Sequence, residues 1–117
     1  MPRREPGEPY YRLTVDEAGK MHGKPDTMFI DVRKPDEYRS GHVKNATLIP
    51  VDDVLAKVDD LPRDKNLVFI CAVGARSGLA CEMAAAMGLD QEKLFSVDGG
   101  TPVWIQKGLP TSRGNEP

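Results

Sequence analysis

The sequence predicts an α/β domain built on a mainly parallel sheet, and three observations predict it. Strand-like and helix-like stretches alternate along the chain, the pattern of helices packed on a parallel sheet. Leu67-Val68-Phe69-Ile70 is an apolar run without polar alternation, as expected of a strand covered on both faces. The stretch 77–87 that follows carries Glu82 as its only formal charge and holds Ala80, Ala84 and Ala85, residues small enough to let a helix lie close against that sheet.

Each element has its own local reason. Thr14-Val15-Asp16-Glu17 fits a capping box, in which the Thr14 hydroxyl takes the amide three residues on and Glu17 reaches back. A short helix follows, weakened by Gly19. Met28-Phe29-Ile30-Asp31-Val32 reads as a buried strand, and Thr47-Leu48-Ile49 as another, closed by Pro50. Val51, Val54, Leu55, Val58 and Leu61 recur at helical spacing; Asp52 or Asp53 would cap that helix and Pro62 would stop it. After the 67–70 strand and the 77–87 helix, Gly88 stands where a helix end favours a left-handed residue. Leu94-Phe95-Ser96-Val97 is the last strand, and Asp98-Gly99-Gly100 is a turn. Thr101 would cap a final helix with Pro102 at its first position and Gly108 past its end.

Composition bounds the function. A chain of 117 residues is one domain's worth, with enough surface to bury to form a core without disulfides or metal. Hydrophobic residues are 39% and charged residues 29%, a globular rather than a disordered mix. Sixteen basic and 18 acidic residues leave a formal charge of −2, so no basic field invites nucleic acid. The longest mostly apolar stretch, 79–89, is too short to span a bilayer and contains Glu82. The N-terminal residues are positively charged but have no apolar segment behind them, unlike a secretory signal. Two cysteines make no disulfide framework, and two Cys with two His at these spacings match no zinc pattern. These features point to the reducing cytoplasm. Residues 1–9, with Pro2, Pro6 and Pro9 among charges, and residues 111–117 read as flexible tails around one domain, 10–110.

The chemistry concentrates after the 67–70 strand. Cys71 closes the strand, Ala72-Val73-Gly74-Ala75 form a loop, and Arg76 and Ser77 open the buried helix. Strand ends that feed helix starts are where open α/β sheets place ligands. Loop amides and the helix N-terminus make an anion cradle, Gly74 can take the backbone angles of a tight loop, and Arg76 adds a fixed charge. A thiol in that field ionises more readily, which makes Cys71 a candidate nucleophile that forms a covalent intermediate on sulfur. Alone, a cysteine after a strand reads as a small core residue; the glycine, the arginine and the helix start together turn the reading toward function.

The sequence resembles the rhodanese family of sulfurtransferases from about Leu13 to Pro110. Cys71-Ala72-Val73-Gly74-Ala75-Arg76 followed by Ser77 is similar to the family's six-residue active-site loop. Asp31-Val32-Arg33, Glu37, Gly41-His42-Val43, Ala46 and Ile49-Pro50 resemble its upstream signature, and Val97-Asp98-Gly99-Gly100, Trp104 and Gly108-Leu109-Pro110 its C-terminal one. The resemblance implies a rhodanese-like fold, with a central parallel sheet of about five strands and helices on both faces. It implies a reaction in which Cys71 takes sulfane sulfur from a donor such as thiosulfate, a persulfide or a polysulfide, and passes it to cyanide or a thiol. It implies that the amides of Ala72, Val73, Gly74, Ala75, Arg76 and Ser77 hold the persulfide and the donor's anionic group, with Arg76 helping to neutralise it. No cofactor and no metal are implied. Related phosphatases of the fold have a seven-residue loop, whereas four residues lie between Cys71 and Arg76 here, a ring that suits one sulfur atom better than a phosphate. Two departures stand out: Asn45 replaces a common Gly, and Ala72 and Val73 are apolar where strong thiosulfate users often carry a base. A persulfide, polysulfide or protein donor is the expected alternative to thiosulfate.

Other residues have structural readings. Arg33 and Glu37 are four apart and can pair locally, and Asp31 ends a strand. His42 has a structural place in the motif, and His22 reads as solvated. Cys81 reads as core rather than as a resolving thiol, and Trp104 as a packing anchor. Tyr10 and Tyr11 can dock the N-terminal tail or a partner. The alternatives to a sulfurtransferase are a rhodanese-like binding or sulfur-relay module that works with a sulfur-accepting protein and, as a minor reading, a cysteine-dependent phosphatase.

Overall fold

The computed structural model describes residues 2–117. Its elements in chain order are β1 Tyr11–Leu13, α1 Val15–Met21, β2 Thr27–Asp31, α2 Pro35–Ser40, β3 His42–Val43, β4 Thr47–Leu48, α3 Val54–Lys57 between two 3₁₀ turns, β5 Asn66–Ile70, α4 Ala75–Ala86, β6 Leu94–Val97, α5 Gly100–Gln106 and β7 Thr111–Ser112. Five strands make one sheet in the order β1-β6-β5-β2-β4, and every pairing in it is parallel. The fold is the expected one: a central parallel sheet with helices on both faces.

Strand β5 lies at the centre, and its alternation divides the core. Leu67 and Phe69 face a cluster with Val54 of α3, Val58 of the 3₁₀ turn after it, and Ala80 and Ala84 of α4. Val68 and Ile70 face the other side, among Val15 and Ala18 of α1 and Trp104 of α5. All four strand residues are at most 2% exposed, which is why their sequence shows no polar period. Truncating a buried phenylalanine such as Phe69 would destabilise the fold by about 3–5 kcal/mol. The same alternation points Cys71, the next residue, into the α3/α4 side. Trp104 is fully buried and its indole donates to Pro110 O at 2.8 Å, the packing anchor that the sequence suggested.

The Thr14–Glu17 capping box is present, with reciprocal bonds of 2.8 and 3.1 Å. Three expectations are corrected. Asp53 stands at the N-cap of α3, as one of the two expected positions, but its side chain makes no capping bond: its backbone is already helical and its amide donates to Pro50 O in a 3₁₀ turn. Thr101 does not cap the last helix, because α5 starts at Gly100 and the Thr101 amide donates to Cys71 O at 2.8 Å. His22 is only partly solvated: its Nε2 lies 2.7 Å from Lys44 O and its ring packs edge-on against Phe29 and Trp104.

The two terminal segments expected to be loose make specific contacts. Arg3 forms a β-bridge with Arg12 and an ion pair with Asp98, Arg4 stacks over Tyr11, and Glu8 holds Arg12 and Tyr10. At the other end, β7 pairs with β3 in a small antiparallel sheet, and Glu116 O meets His42 Nε2 at 2.6 Å. Elements β1, α2, β3 and β7 have no counterpart in the sequence reading. Among the described residues, no helix is long and apolar enough to cross a membrane.

Candidate functional site

The site is assembled where β5 ends and α4 begins. Gly74 precedes α4 with φ of +95°, a conformation that L side chains resist. A side chain there would also put its Cβ 3.1 Å from Asp98 O. This turn brings the Gly74 amide to 3.0 Å from Cys71 Sγ. One helical turn on, the Ser77 hydroxyl lies 3.5 Å from the same sulfur, 3.1 Å from Gly74 O and 2.7 Å from Ser96 Oγ. Ser77 and Ser96 are both buried, so the sulfur is backed by a closed hydroxyl chain.

The loop is fastened from the other side by the start of α5. Gly100 has φ of +73°, and a Cβ on it would stand 2.1 Å from Ala72 O and 2.7 Å from Cys71 O. Only a glycine permits that approach. The turn read as Asp98-Gly99-Gly100 is therefore a seat for the cysteine loop as well as a chain reversal.

Two effects oppose each other at the thiol. Burial pushes the Cys71 pKa up. The thiol donates to Ser77 Oγ here, but the pairing with that hydroxyl and the bonds from the amides of Ser77, Val73 and Gly74 favour the thiolate and prevail, leaving the pKa below that of an ordinary thiol. Cys81 is the contrast: burial without such donors raises its pKa well above the usual value. Its Sγ lies 3.4 Å from Phe95 O, and it sits in the core as expected. Both cysteines are free thiols.

The sequence-predicted loop residues come together, but Arg76 does not stand alone. Its Nη1 and Nη2 donate to Glu37 Oε1 and Oε2 at 2.7 and 3.0 Å. The Arg76 guanidinium holds the Glu37 carboxyl down at about 2. The expected Arg33–Glu37 pairing is thus corrected. Arg33 turns instead to Asp31, with contacts of 2.9, 3.1 and 2.7 Å, and to Gly41 O at 2.7 Å. Asp31 is fully buried, and a buried carboxylate requires a charged partner; Arg33 supplies it and leaves Glu37 to the loop. His42 is buried, stacked on Tyr38 with ring centroids 3.6 Å apart, and its Nδ1 lies 2.9 Å from Tyr38 O. These contacts keep it within the upstream framework.

Beside the loop opens a cleft of about 490 Å³, walled by Tyr10, Arg12, Val73, Gly74, Leu79 and Asp98 among others. Val73 at its rim is 76% exposed. Among the described residues, no three His, Cys, Asp or Glu side chains are grouped to hold a metal ion. Ser96, Gly100 and the Glu37–Arg76 pair were missed by sequence reasoning. A serine inside the apolar strand Leu94-Phe95-Ser96-Val97 was the available signal for the first, since a buried hydroxyl needs a partner.

The Rhodanese-like domain family matches residues 14–107. A tRNA uridine(34) hydroxylase of Yersinia enterocolitica is 35% identical over an alignment covering 91% of this chain and 33% of its own length. A sulfurtransferase of Allochromatium vinosum is 29% identical, with 73% of this chain and 78% of its own length covered. The crystal structure of a rhodanese-related protein from Thermoplasma volcanium superposes with a TM-score of 0.76 at 30% identity, covering 86% of this chain and 96% of that one. The chain thus spans 33% of the length of the hydroxylase it resembles.

Proposed function

The chain belongs to the rhodanese-like domain family, and from that membership we propose that it is a sulfurtransferase with Cys71 as the sulfur carrier. One observation supports this above the rest: Cys71 Sγ meets the Gly74 amide at 3.0 Å and the Ser77 hydroxyl at 3.5 Å, within a loop whose donors favour the thiolate. In the first half-reaction the Cys71 thiolate attacks the outer sulfur of the donor. A new S–S bond forms, the donor's own S–S bond breaks, and its electron pair leaves on sulfite from thiosulfate or on a thiolate from a persulfide. In the second, cyanide or a thiolate attacks the outer persulfide sulfur, and Cys71 recovers its thiolate. The amides of residues 72–77 hold the persulfide anion. Ser77, relayed by Ser96, turns its proton from Gly74 O to the sulfur when charge develops there. The chemistry rests on the protein's own sulfur and uses no cofactor or metal, and an ionisable free thiol fits a reducing cytoplasmic setting. The substrates are a small sulfur donor and a thiol or cyanide acceptor.

The phosphatase reading is disfavoured by the short loop and by the pairing of Arg76 with Glu37, which leaves less free positive charge for a phosphate dianion. A second reading has its own observation. Val73 and Leu79, 76% and 45% exposed, flank the cleft beside the loop and suit a protein that receives sulfur only when docked there. The hydroxylase named for tRNA is a much longer protein, of which this chain matches 33%, and a formal charge of −2 gives this chain no basic field for nucleic acid.

Steady-state turnover with thiosulfate or an alkyl hydropersulfide as donor and cyanide as acceptor tests the reading. Cys71→Ser should abolish thiocyanate production while keeping the circular dichroism of the wild type. Full turnover in that variant would remove Cys71 from the mechanism. Loading of Cys71 by small donors without discharge to any small acceptor would favour the docked-acceptor reading.

A further inference from the structure

Resting on the sulfurtransferase reading, we propose that Glu37 sets the donor class of this site: by occupying Arg76 it makes the loop electrically neutral and selects donors without a sulfonate. The argument starts from charge. Thiosulfate is a dianion and leaves as a dianion, so a site that uses it well offers a fixed cation besides loop amides. The loop has one cationic side chain, Arg76, since Ala72, Val73, Gly74 and Ala75 carry none. Both terminal nitrogens of Arg76 are committed to Glu37 in a two-point contact, the strongest geometry open to a guanidinium and a carboxylate. Glu37 is itself fixed by the Lys34 amide, which donates to Oε1 at 3.1 Å, at the start of α2. Its depressed pKa of about 2 keeps it charged throughout the working range of a thiolate enzyme.

The remaining surroundings do not restore the charge. Arg12 and Arg3, on the cleft side, are taken by Glu8 and Asp98, and Arg33 by Asp31. What is left for the donor is the ring of amides and the Ser77 hydroxyl, enough for the single charge of a persulfide sulfur. The apolar Ala72 and Val73 fit an organic substituent. The donor class is therefore an organic persulfide, R–S–SH, whose leaving group is a thiolate. The balance is the Cys71 thiolate plus R–S–SH giving Cys71–S–S⁻ and R–SH: one S–S bond forms to the outer sulfur, the donor's own S–S bond breaks, and the leaving thiolate takes the proton that the outer sulfur carried.

A four-member charge cycle tests this. The wild type and Glu37→Gln/Arg76→Gln both leave the pair neutral, Glu37→Gln frees one positive charge, and Arg76→Gln frees one negative charge. The readout is kcat/KM for thiosulfate divided by kcat/KM for an alkyl hydropersulfide, each with cyanide as acceptor. The ratio should rise about tenfold in Glu37→Gln, which is about one charge-assisted hydrogen bond to the dianion. It should fall in Arg76→Gln and return to within about threefold of the wild type in the double variant. The paired readout matters because damage to the loop alone lowers both donors together and leaves the ratio unchanged. A ratio that does not rise in Glu37→Gln, or a double variant as poor with thiosulfate as Arg76→Gln, overturns the proposal. Failure of the underlying reading is separate: no variant, nor the wild type, would then place sulfur on Cys71 from either donor.

Discussion

The Ser77 hydroxyl stands 3.5 Å from Cys71 Sγ and, with the loop amides, favours ionisation of that thiol against the burial that opposes it. It is held in place by Ser96 at 2.7 Å. Ser77→Ala should raise the pH midpoint of Cys71 alkylation and slow sulfur loading at neutral pH by about fivefold, about one hydrogen bond's worth. Iodoacetamide kinetics across pH check this; an unmoved midpoint would show that the amides alone set the thiol's acidity. Ser96→Ala should produce a smaller shift in the same direction.

Gly100 is where the loop and the last helix meet. With φ of +73° and a Cβ position 2.1 Å from Ala72 O, Gly100→Ala must displace the loop or the helix start. The expected loss of stability is at least about 2 kcal/mol, accompanied by loss of sulfur loading. Urea unfolding measures the first and turnover the second. Gly88→Ala is the comparison, since Gly88 also has positive φ but nothing lies within 4 Å of its Cβ position; it should lose stability but keep turnover in the folded fraction.

The Asp31–Arg33 pair is structural. Asp31→Asn leaves Arg33 buried without its counter-ion, and breaking a buried pair from one side destabilises by about 3–5 kcal/mol. Thermal unfolding should show a large drop in Tm. A change of under about 0.5 kcal/mol would contradict the role assigned to the pair.

Acid stability has a definite sign. Glu37 is lowered from 4.5 to about 2 by hydrogen bonding to Arg76, and Glu8 from 4.5 to about 2 by hydrogen bonding to Arg12. A depressed folded value means that each pair's stabilisation is complete above the unfolded value, 4.5, and is lost as pH falls toward 2. Partial exposure of both pairs and solvent screening keep each contribution small, below about 1 kcal/mol. Urea midpoints should fall between about pH 5.5 and pH 3 in the wild type, and less steeply in Glu37→Gln/Glu8→Gln. Identical slopes would show that the pairs contribute nothing to folding.

The legible parts of the sequence were those with a local or periodic cause. The apolar run 67–70, the Thr14–Glu17 box and the Cys71–Ser77 loop each announce themselves within a few residues, and each is present in the structure. What could not be read depends on distant partners. Glu37 and Arg76 are 39 residues apart in sequence, so nothing local distinguishes their pairing from Arg33–Glu37. The choice is made by Asp31, whose burial claims Arg33. Strands β3 and β7 have two residues each, too short to show a period. Thr101 has the chemistry of a cap, but the close approach of Gly100 to the loop carbonyls starts the helix before it.

The central claim is that Cys71 carries sulfur. Intact-protein mass spectrometry of the wild type and Cys71→Ser, after incubation with an alkyl hydropersulfide or thiosulfate and then with cyanide, tests it most directly. The account predicts one added sulfur atom in the wild type, more readily from the hydropersulfide, absent from Cys71→Ser and removed by cyanide. A folded, reduced wild-type protein that gains no sulfur from either donor, or a Cys71→Ser protein that gains it equally, would contradict the account.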